Sequence, residues 1–335
     1  MNLDKILKHT SRTLYLSVKI LPSDIRPAFS VAYLLCRYAD TIADSAKLPL
    51  PRKIHWVTRF PEIIRSIKTD EQEQLVKELS GKSTDPYENA LIQQLGDCKQ
   101  ALRSISFAFR PLVYEVVKSV CEGMLIDFKT FPTGPKDEFA VSFAEGKDLI
   151  NYCHLMGGKP GLFWSKLIYL SLPVAMERDE FFTRAEYIGE ALQIVNILRD
   201  LPQDLRRGRC YIPATDLQQY RLTTKDLLLT RNSARFKPIR RKWIHWGKNR
   251  LEKALEYYQA IPKSAWRVRA AVAWPILWTA DTFAKIDNTI DLLNPTKRVK
   301  ISRKTIYFTL LVTPFFLVSN RLFSKWLEKK LNKLP

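Results

Sequence analysis

Apolar residues return every three or four positions along most of this chain. Val31, Leu34, Leu35, Tyr38 and Ile42 keep that spacing, as do Ile188, Leu192, Val195 and Leu198. This is the period of a helix with one buried stripe. Residues 112–126 and 266–287 are longer apolar stretches of the same kind. Clusters containing proline divide them: Leu48-Pro49-Leu50-Pro51, Ser83-Thr84-Asp85-Pro86, Phe131-Pro132-Thr133-Gly134-Pro135 and Tyr211-Ile212-Pro213. Strand-like alternation is weak throughout. The pattern predicts an all-α protein, with one helical domain over residues 1–292 and a basic, hydrophobic tail over 293–335.

The tail has its own pattern. Thr305 to Asn320 carries no charge and contains Ile306, Tyr307, Phe308, Leu310, Leu311, Val312, Phe315, Phe316, Leu317 and Val318. Lys297, Arg298, Lys300, Arg303 and Lys304 precede it, and Arg321, Lys325, Lys329, Lys330 and Lys333 follow. A membrane span needs about 20 apolar residues; this run is shorter and contains Pro314. Association with a membrane surface through residues 305–326 is expected, either dipping in or spanning with Leu322, Phe323 and Trp326 added. The alternative is a terminal helix packed on the body.

Composition narrows the field. The 335 residues include 11 glycines, roughly half the usual share, which disfavours Gly-rich nucleotide folds and turn-dense β sandwiches. A hydrophobic content of 46% fills a large core and excludes disorder. The net charge of +20 is uneven. Residues 297–335 hold ten Lys/Arg against one acid, and residues 231–250 hold eight against none, so the remainder is nearly neutral. Such patches suit anionic lipid, phosphorylated substrates or nucleic acid, and a merely solvated face is the plain alternative. The five cysteines are scattered, without C-x-x-C, and there are four histidines, which argues against a disulfide framework or a zinc site. The N-terminus lacks the apolar stretch of a secretory signal, so a cytoplasmic, membrane-associated protein is expected.

Two segments carry candidate chemistry. At about 100° per residue, Tyr33, Arg37, Asp40 and Asp44 fall within about 60° of arc on a helix. Gln193, Asn196, Asp200 and Asp204 fall within about 80°, with Ile194, Val195, Ile197 and Leu198 on other faces. Carboxylates four residues apart repel each other, and a divalent cation removes that repulsion. Hard oxygen donors suit Mg²⁺ bridging carboxylates to substrate phosphates, with Asn196 adding a neutral oxygen. Two such stripes facing each other across a bundle would hold a metal-bridged diphosphate, with Arg12, Arg37, Arg199 and Arg209 neutralising its oxygens.

With these residues in view, the sequence resembles the squalene/phytoene synthase family, the head-to-head branch of the all-α isoprenoid synthases, from about Ser11 to Ile286. Ser11-Arg12-Thr13-Leu14 resembles its N-terminal element, and Tyr33 through Asp44 its first aspartate motif. Asp148 through His154, with Gly157-Gly158, resembles its Y-C-x-x-x-[AG]-G segment. Leu192 through Asp204, Arg207-Gly208-Arg209 and Tyr211-Ile212-Pro213 resemble its second motif. Departures are Ser45 after Asp44, Met156 and Pro202.

The resemblance implies a single helical bundle with a central cavity. It also implies a head-to-head condensation of two allylic isoprenyl diphosphates through a cyclopropyl diphosphate. Asp40, Asp44, Asn196, Asp200 and Asp204 would bind metal. Ser11, Arg12, Thr13, Tyr33, Arg37, Gln193, Arg199 and Arg209 would contact diphosphate, and Tyr152 would sit near the transferred proton. Phe128, Trp274 and Trp278 are candidates to line the cavity, with core packing as their alternative role. The expected product is squalene from two farnesyl diphosphates, with Mg²⁺ and NADPH. Phytoene or dehydrosqualene, without reduction, is the alternative. A non-catalytic, basic membrane- or RNA-binding protein would explain the charge but leave both acidic stripes unexplained. No nucleic-acid partner is expected, and the protein is expected to be a monomer.

Overall fold

The computed structural model describes residues 2–11, 14–67, 70–81, 83–131 and 140–335. Contacts divide the chain into two compact units, residues 1–129 with 166–171, and residues 130–165 with 172–335. Both are helical, as the periodicity predicts.

The first unit contains α1 (Leu3–Ser11), α2 (Leu14–Ile20), α3 (Arg26–Asp44), α4 (Leu50–Arg65), α5 (Asp70–Leu79), α6 (Pro86–Gln93), α7 (Leu95–Ser104) and most of α8 (Arg110–Thr130). Two of the proline clusters start helices, since a proline in the first turn has no missing partner. Pro49 and Pro51 open α4, and Pro86 opens α6 behind Asp85. The Asp85 carboxylate accepts the amides of Tyr87 (2.7 Å) and Glu88 (3.3 Å). The core is built on α3, whose Tyr38 is fully buried and stacks on Phe60 of α4 at 5.2 Å.

The second unit contains α9 (Gly146–Cys153), a π-helical turn (His154–Gly158), α10 (Lys159–Ser171, its last six residues clustering with the first unit) and α11 (Arg178–Arg206). It continues with α12 (Ala214–Gln219), α13 (Thr224–Leu227), α14 (Ser233–Leu251), α15 (Ala254–Ala260), α16 (Trp266–Asn288), α17 (Arg303–Val318) and α18 (Asn320–Leu331). Two short strands, β1 (Val141–Ser142) and β2 (Arg209–Cys210), pair in parallel with Val141 opposite Arg209. The 29-residue α11 is the axis of the unit and packs on α14, α15, α16 and the π-helical turn. Gly247 of α14 lets it approach: a Cβ there would lie 2.5 Å from Phe283 and 2.9 Å from Ile194.

The division of contacts differs from the expected break near residue 292, because residues 293–335 cluster with the second unit. Arg269 on α16 is fully buried and donates to the carbonyls of Tyr258 (3.2 Å) and Ile261 (2.7 Å) and to Asn320 of α18 (2.5 Å). Tyr258 donates to the Phe316 carbonyl at 3.1 Å and stacks on Phe323 at 3.8 Å. Lys330 pairs with Asp281 of α16. The terminal helices are therefore docked on α15 and α16 by buried polar contacts that hydrophobic spacing does not announce. Among the described residues, no helix is long and apolar enough to cross a membrane.

The basic cluster at 231–250 is largely absorbed by the fold. Arg240 is buried and donates to the Asp287 and Thr289 carbonyls, both at 2.8 Å. Arg241 makes two 2.9 Å bonds to the Asp287 carboxylate, Lys242 binds Asp216 at 2.6 Å, and Arg250 binds Glu190 at 2.5 Å.

Candidate active site

In the first unit the predicted stripe lies where helical geometry puts it. Tyr33, Arg37 and Asp40 are half-buried and Asp44 is exposed, whereas Leu34, Leu35, Ala39, Ile42 and Ala43 are buried. Tyr33 donates to the Thr10 carbonyl at 2.8 Å and so ties α3 to α1. The Ser11 hydroxyl donates to the Leu7 carbonyl of its own helix at 2.5 Å, so its proton is occupied locally. Arg12 and Thr13 lie outside the described residues.

Arg37 lies 3.6 Å from Asp40 and also pairs with Glu88 of α6, which Ser83 holds at 2.6 Å. The buried Nε of Arg37 has no hydrogen-bond partner among the described residues. Glu88 was not foreseen, because its only local signal is a place in the first turn after the Asp85-Pro86 cap.

Asp40 is pushed up to about 7, first by removal from water and then by Asp44 and Glu88, with Arg37 opposing. Its side chain still keeps 38% of its surface open to solvent. Asp40 is thus crowded by protein yet still reached by water. Burial, then Asp40 and Cys121, also raise the Cys36 thiol.

In the second unit Gln193, Asn196, Asp200 and Asp204 are half-buried along a helix whose Ile194, Val195, Ile197, Leu198 and Leu201 are buried. The stripe is a polar seam beside the buried apolar residues of this part of the helix, as predicted. Pro202 does not end the helix, which continues to Arg206 and keeps Asp204 in register with Asp200. Arg199 grips its neighbour Asp200 through Nε (3.0 Å) and Nη2 (2.5 Å), and Arg298 adds a contact at 3.4 Å. Burial alone would raise Asp200, but the Arg199 bonds and charge, followed by those of Arg298, hold it below the usual carboxylate range. Arg298 was missed as a site residue; it lay in what read as a tail.

Tyr152 sits in an aromatic cluster rather than alone. Its ring stacks on Tyr211 at 4.9 Å, its hydroxyl lies 3.4 Å from that of Tyr211, and Phe143 lies 5.7 Å away. The β1–β2 pairing builds this cluster by bringing Phe143 beside Tyr211, with Arg209 paired to Val141. Beyond Tyr152 the chain widens into the π-helical turn, a form that often marks functional sites. The turn is pressed onto α11, because Gly157 and Gly189 leave no room for a side chain between them. Inside it, His154 Nδ1 lies 3.1 Å from Glu190, which Arg250 also binds. Trp274 donates to Thr313 at 2.8 Å, and Trp274 and Trp278 stack at 6.2 Å, as core residues do. Phe128 is likewise buried.

The donor sets suit a hard cation that shares its shell with substrate. Among the described residues, no group of three or more His, Cys, Asp or Glu forms a metal cage. Mg²⁺ is usually held by one or two carboxylates plus phosphates and water, so a pair is a sufficient protein share.

Known proteins supply an independent view. The family model for squalene/phytoene synthase matches residues 7–305. The phytoene synthase 2 of Solanum lycopersicum, a chloroplastic enzyme, is 24% identical over 90% of this chain and 84% of its own length. Ligand-bound TcSQS superposes with a TM-score of 0.78 at 19% identity, covering 99% of this chain and 96% of that one. A ligand-bound dehydrosqualene synthase gives 0.62 at 20% identity, covering 94% and 95%. The fold is thus that of the all-α isoprenoid synthases, and this chain belongs to the squalene/phytoene synthase family.

Proposed function

We propose that the protein joins two allylic isoprenyl diphosphates head to head. The observation that carries this reading is the two aspartate pairs, Asp40/Asp44 and Asp200/Asp204, each half-buried or exposed along a helix whose other faces are buried. Asp40 and Asp44 would hold Mg²⁺ in one unit, and Asn196, Asp200 and Asp204 would do so in the other. Mg²⁺, when bound, would neutralise the charge that builds on a departing diphosphate.

The chain's own residues do the rest. Arg37 beside Asp40 in the first unit, and Arg199 and Arg209 in the second, would bind diphosphate oxygens, helped by Tyr33 and Gln193 in their own units. Arg199 starts bound to Asp200, so binding exchanges one anion for another without exposing a bare charge. Removing the allylic diphosphate leaves a cation that water would capture, and buried aromatic rings exclude that water. Tyr152 Oη, which donates to Tyr211 Oη at 3.4 Å, can relay the proton lost on ring closure by taking it as its own proton passes to an anionic oxygen of the released diphosphate.

The finer reading is farnesyl diphosphate to squalene, with NADPH reducing the last cation. The reading without reduction is supported by the name of the tomato relative, a phytoene synthase. Purified protein given C15 or C20 allylic diphosphate with Mg²⁺, with and without NADPH, separates the two by gas chromatography of the hydrocarbon. A saturated central bond only with NADPH supports squalene, and a conjugated product in either case supports the non-reductive reading. Asp40→Ala and Asp200→Ala should each lower turnover by at least about 100-fold while the helical circular dichroism is kept. Undiminished turnover in either variant would overturn the assignment.

A further inference from the structure

The outward face of α17 is reversed relative to a helix made for water. Tyr307, Leu311, Phe315 and Val318 follow one another at helical spacing on one side, each between 60 and 71% exposed. Phe308 and Leu322 extend this face and are exposed as well. The side turned to the protein holds Thr309, Thr313 and Phe316, all buried. Thr309 and Thr313 donate to carbonyls one turn back at 2.9 and 2.7 Å, and Thr313 also accepts from Trp274. A soluble helix buries its apolar stripe and shows water its polar one. Here the threonines are inside and the large apolar side chains outside, and docking of the tail on α15 and α16 leaves them there.

The surroundings say what covers them. Arg303 and Lys304 are exposed at the start of α17, and Arg321, Lys325 and Lys329 are exposed on α18. None of these five has an acidic partner among the described residues, and Glu328 is the one acid from 297 to the end. An apolar stripe ringed by unpaired cations complements a surface that is apolar beneath an anionic layer. At 16 residues, α17 is short for a span but long enough to lie in the interface with its stripe reaching roughly 5–10 Å inward.

We propose that this face of α17 and the cations around it dock the protein in the plane of an anionic lipid bilayer, without crossing it. The inference does not depend on which isoprenoid the enzyme makes.

Co-sedimentation of the full-length protein with vesicles tests it, comparing pure phosphatidylcholine with phosphatidylcholine mixed with phosphatidylglycerol. Binding is expected to the mixed vesicles, weakening as salt rises. The paired change Lys304→Glu with Lys325→Glu should lower partitioning by about thirtyfold or more, taking each lost cation as about fivefold. The variant Leu311→Ser/Phe315→Ser/Val318→Ser, altered only at outward positions, should lose binding with its circular dichroism unchanged. Failure of the unaltered protein to bind mixed vesicles, or equal binding to neutral ones, would overturn the proposal without recourse to any variant. So would a dimer in sedimentation velocity that the serine variant dissociates, since the occupant would then be a second copy.

Discussion

Replacing Gly157 by Ala probes the contact that sets the second aspartate pair relative to Tyr152. A Cβ at 157 would lie 2.2 Å from the Gly189 carbonyl oxygen and 2.7 Å from Cβ of Gln193. The reciprocal change, Gly189→Ala, would bring a Cβ within 2.0 Å of the Gly157 oxygen. Contacts under 3.0 Å are essentially never formed, so the π-helical turn and α11 must part by roughly 0.8 Å. The obstacle is backbone and cannot rotate aside. A gap of that size forfeits about a quarter to a half of the dispersion energy of each contact along the seam. Overpacking of a core costs about 1–3 kcal/mol, and a rigid obstacle belongs at the top of that range, so about 3 kcal/mol is expected. Urea unfolding followed by circular dichroism measures it. Because Gln193 is on the same seam, KM for the diphosphate should rise as well. Gly81→Ala is the control: it has a φ of +66° but open space around it, and should cost only about 1 kcal/mol. A Gly157→Ala protein within about 0.5 kcal/mol of the parent would refute the packing argument.

Asp40→Asn should raise the metal-free melting temperature at pH 8 while abolishing turnover. With a folded value raised to about 7, Asp40 keeps a proton between about pH 4 and 7 that the unfolded chain releases, so its contribution to stability falls as pH rises through that window. A lower melting temperature for the variant at pH 8 would contradict this. Arg298→Gln should weaken diphosphate binding about tenfold or less with kcat little changed, since Arg199 is still present to take the diphosphate oxygens; a loss of kcat alone would be the contrary result in steady-state kinetics. Arg241→Gln should flatten acid unfolding. The Arg241 bonds, then its charge and that of Arg240, hold Asp287 low, so stability present above about pH 4 is lost as pH falls through the lower folded value. An unchanged acid limb in thermal melts would refute that pairing.

Periodic patterning made the main helices legible. Residues 112–126 and 266–287 lie within α8 and α16, and the two polar stripes are the half-buried seams of α3 and α11. Single prolines do not break the helices: Pro61, Pro202, Pro238, Pro275 and Pro314 all lie inside them, where tertiary packing outweighs the lost backbone bond. The tail read as separate because its anchors, Arg269 and Tyr258, are single residues far back in the chain, with nothing local to mark them. The same holds for several ion pairs within each unit. Glu88, Glu190, Arg250 and Arg298 meet their partners from other helices or from the segment after α16, so only the fold reveals the pairing. Local spacing encodes which residues share a face; it does not encode which distant ion turns to meet them.

The two aspartate pairs differ in a way that bears on the chemistry. Asp40 is destabilised as an anion, while Asp200 is stabilised as one by two guanidinium groups. The first carboxylate thus favours any added positive charge, and the fold carries the unfavourable burial until that charge arrives. The second is already satisfied, so it would hold Mg²⁺ only in place of Arg199 and Arg298. In the proposed reaction those arginines would then be available to the diphosphate oxygens, which would couple the two pairings. Lysine at 199 would break this coupling, since it cannot hold both oxygens of Asp200 at once and then turn the same fork to phosphate.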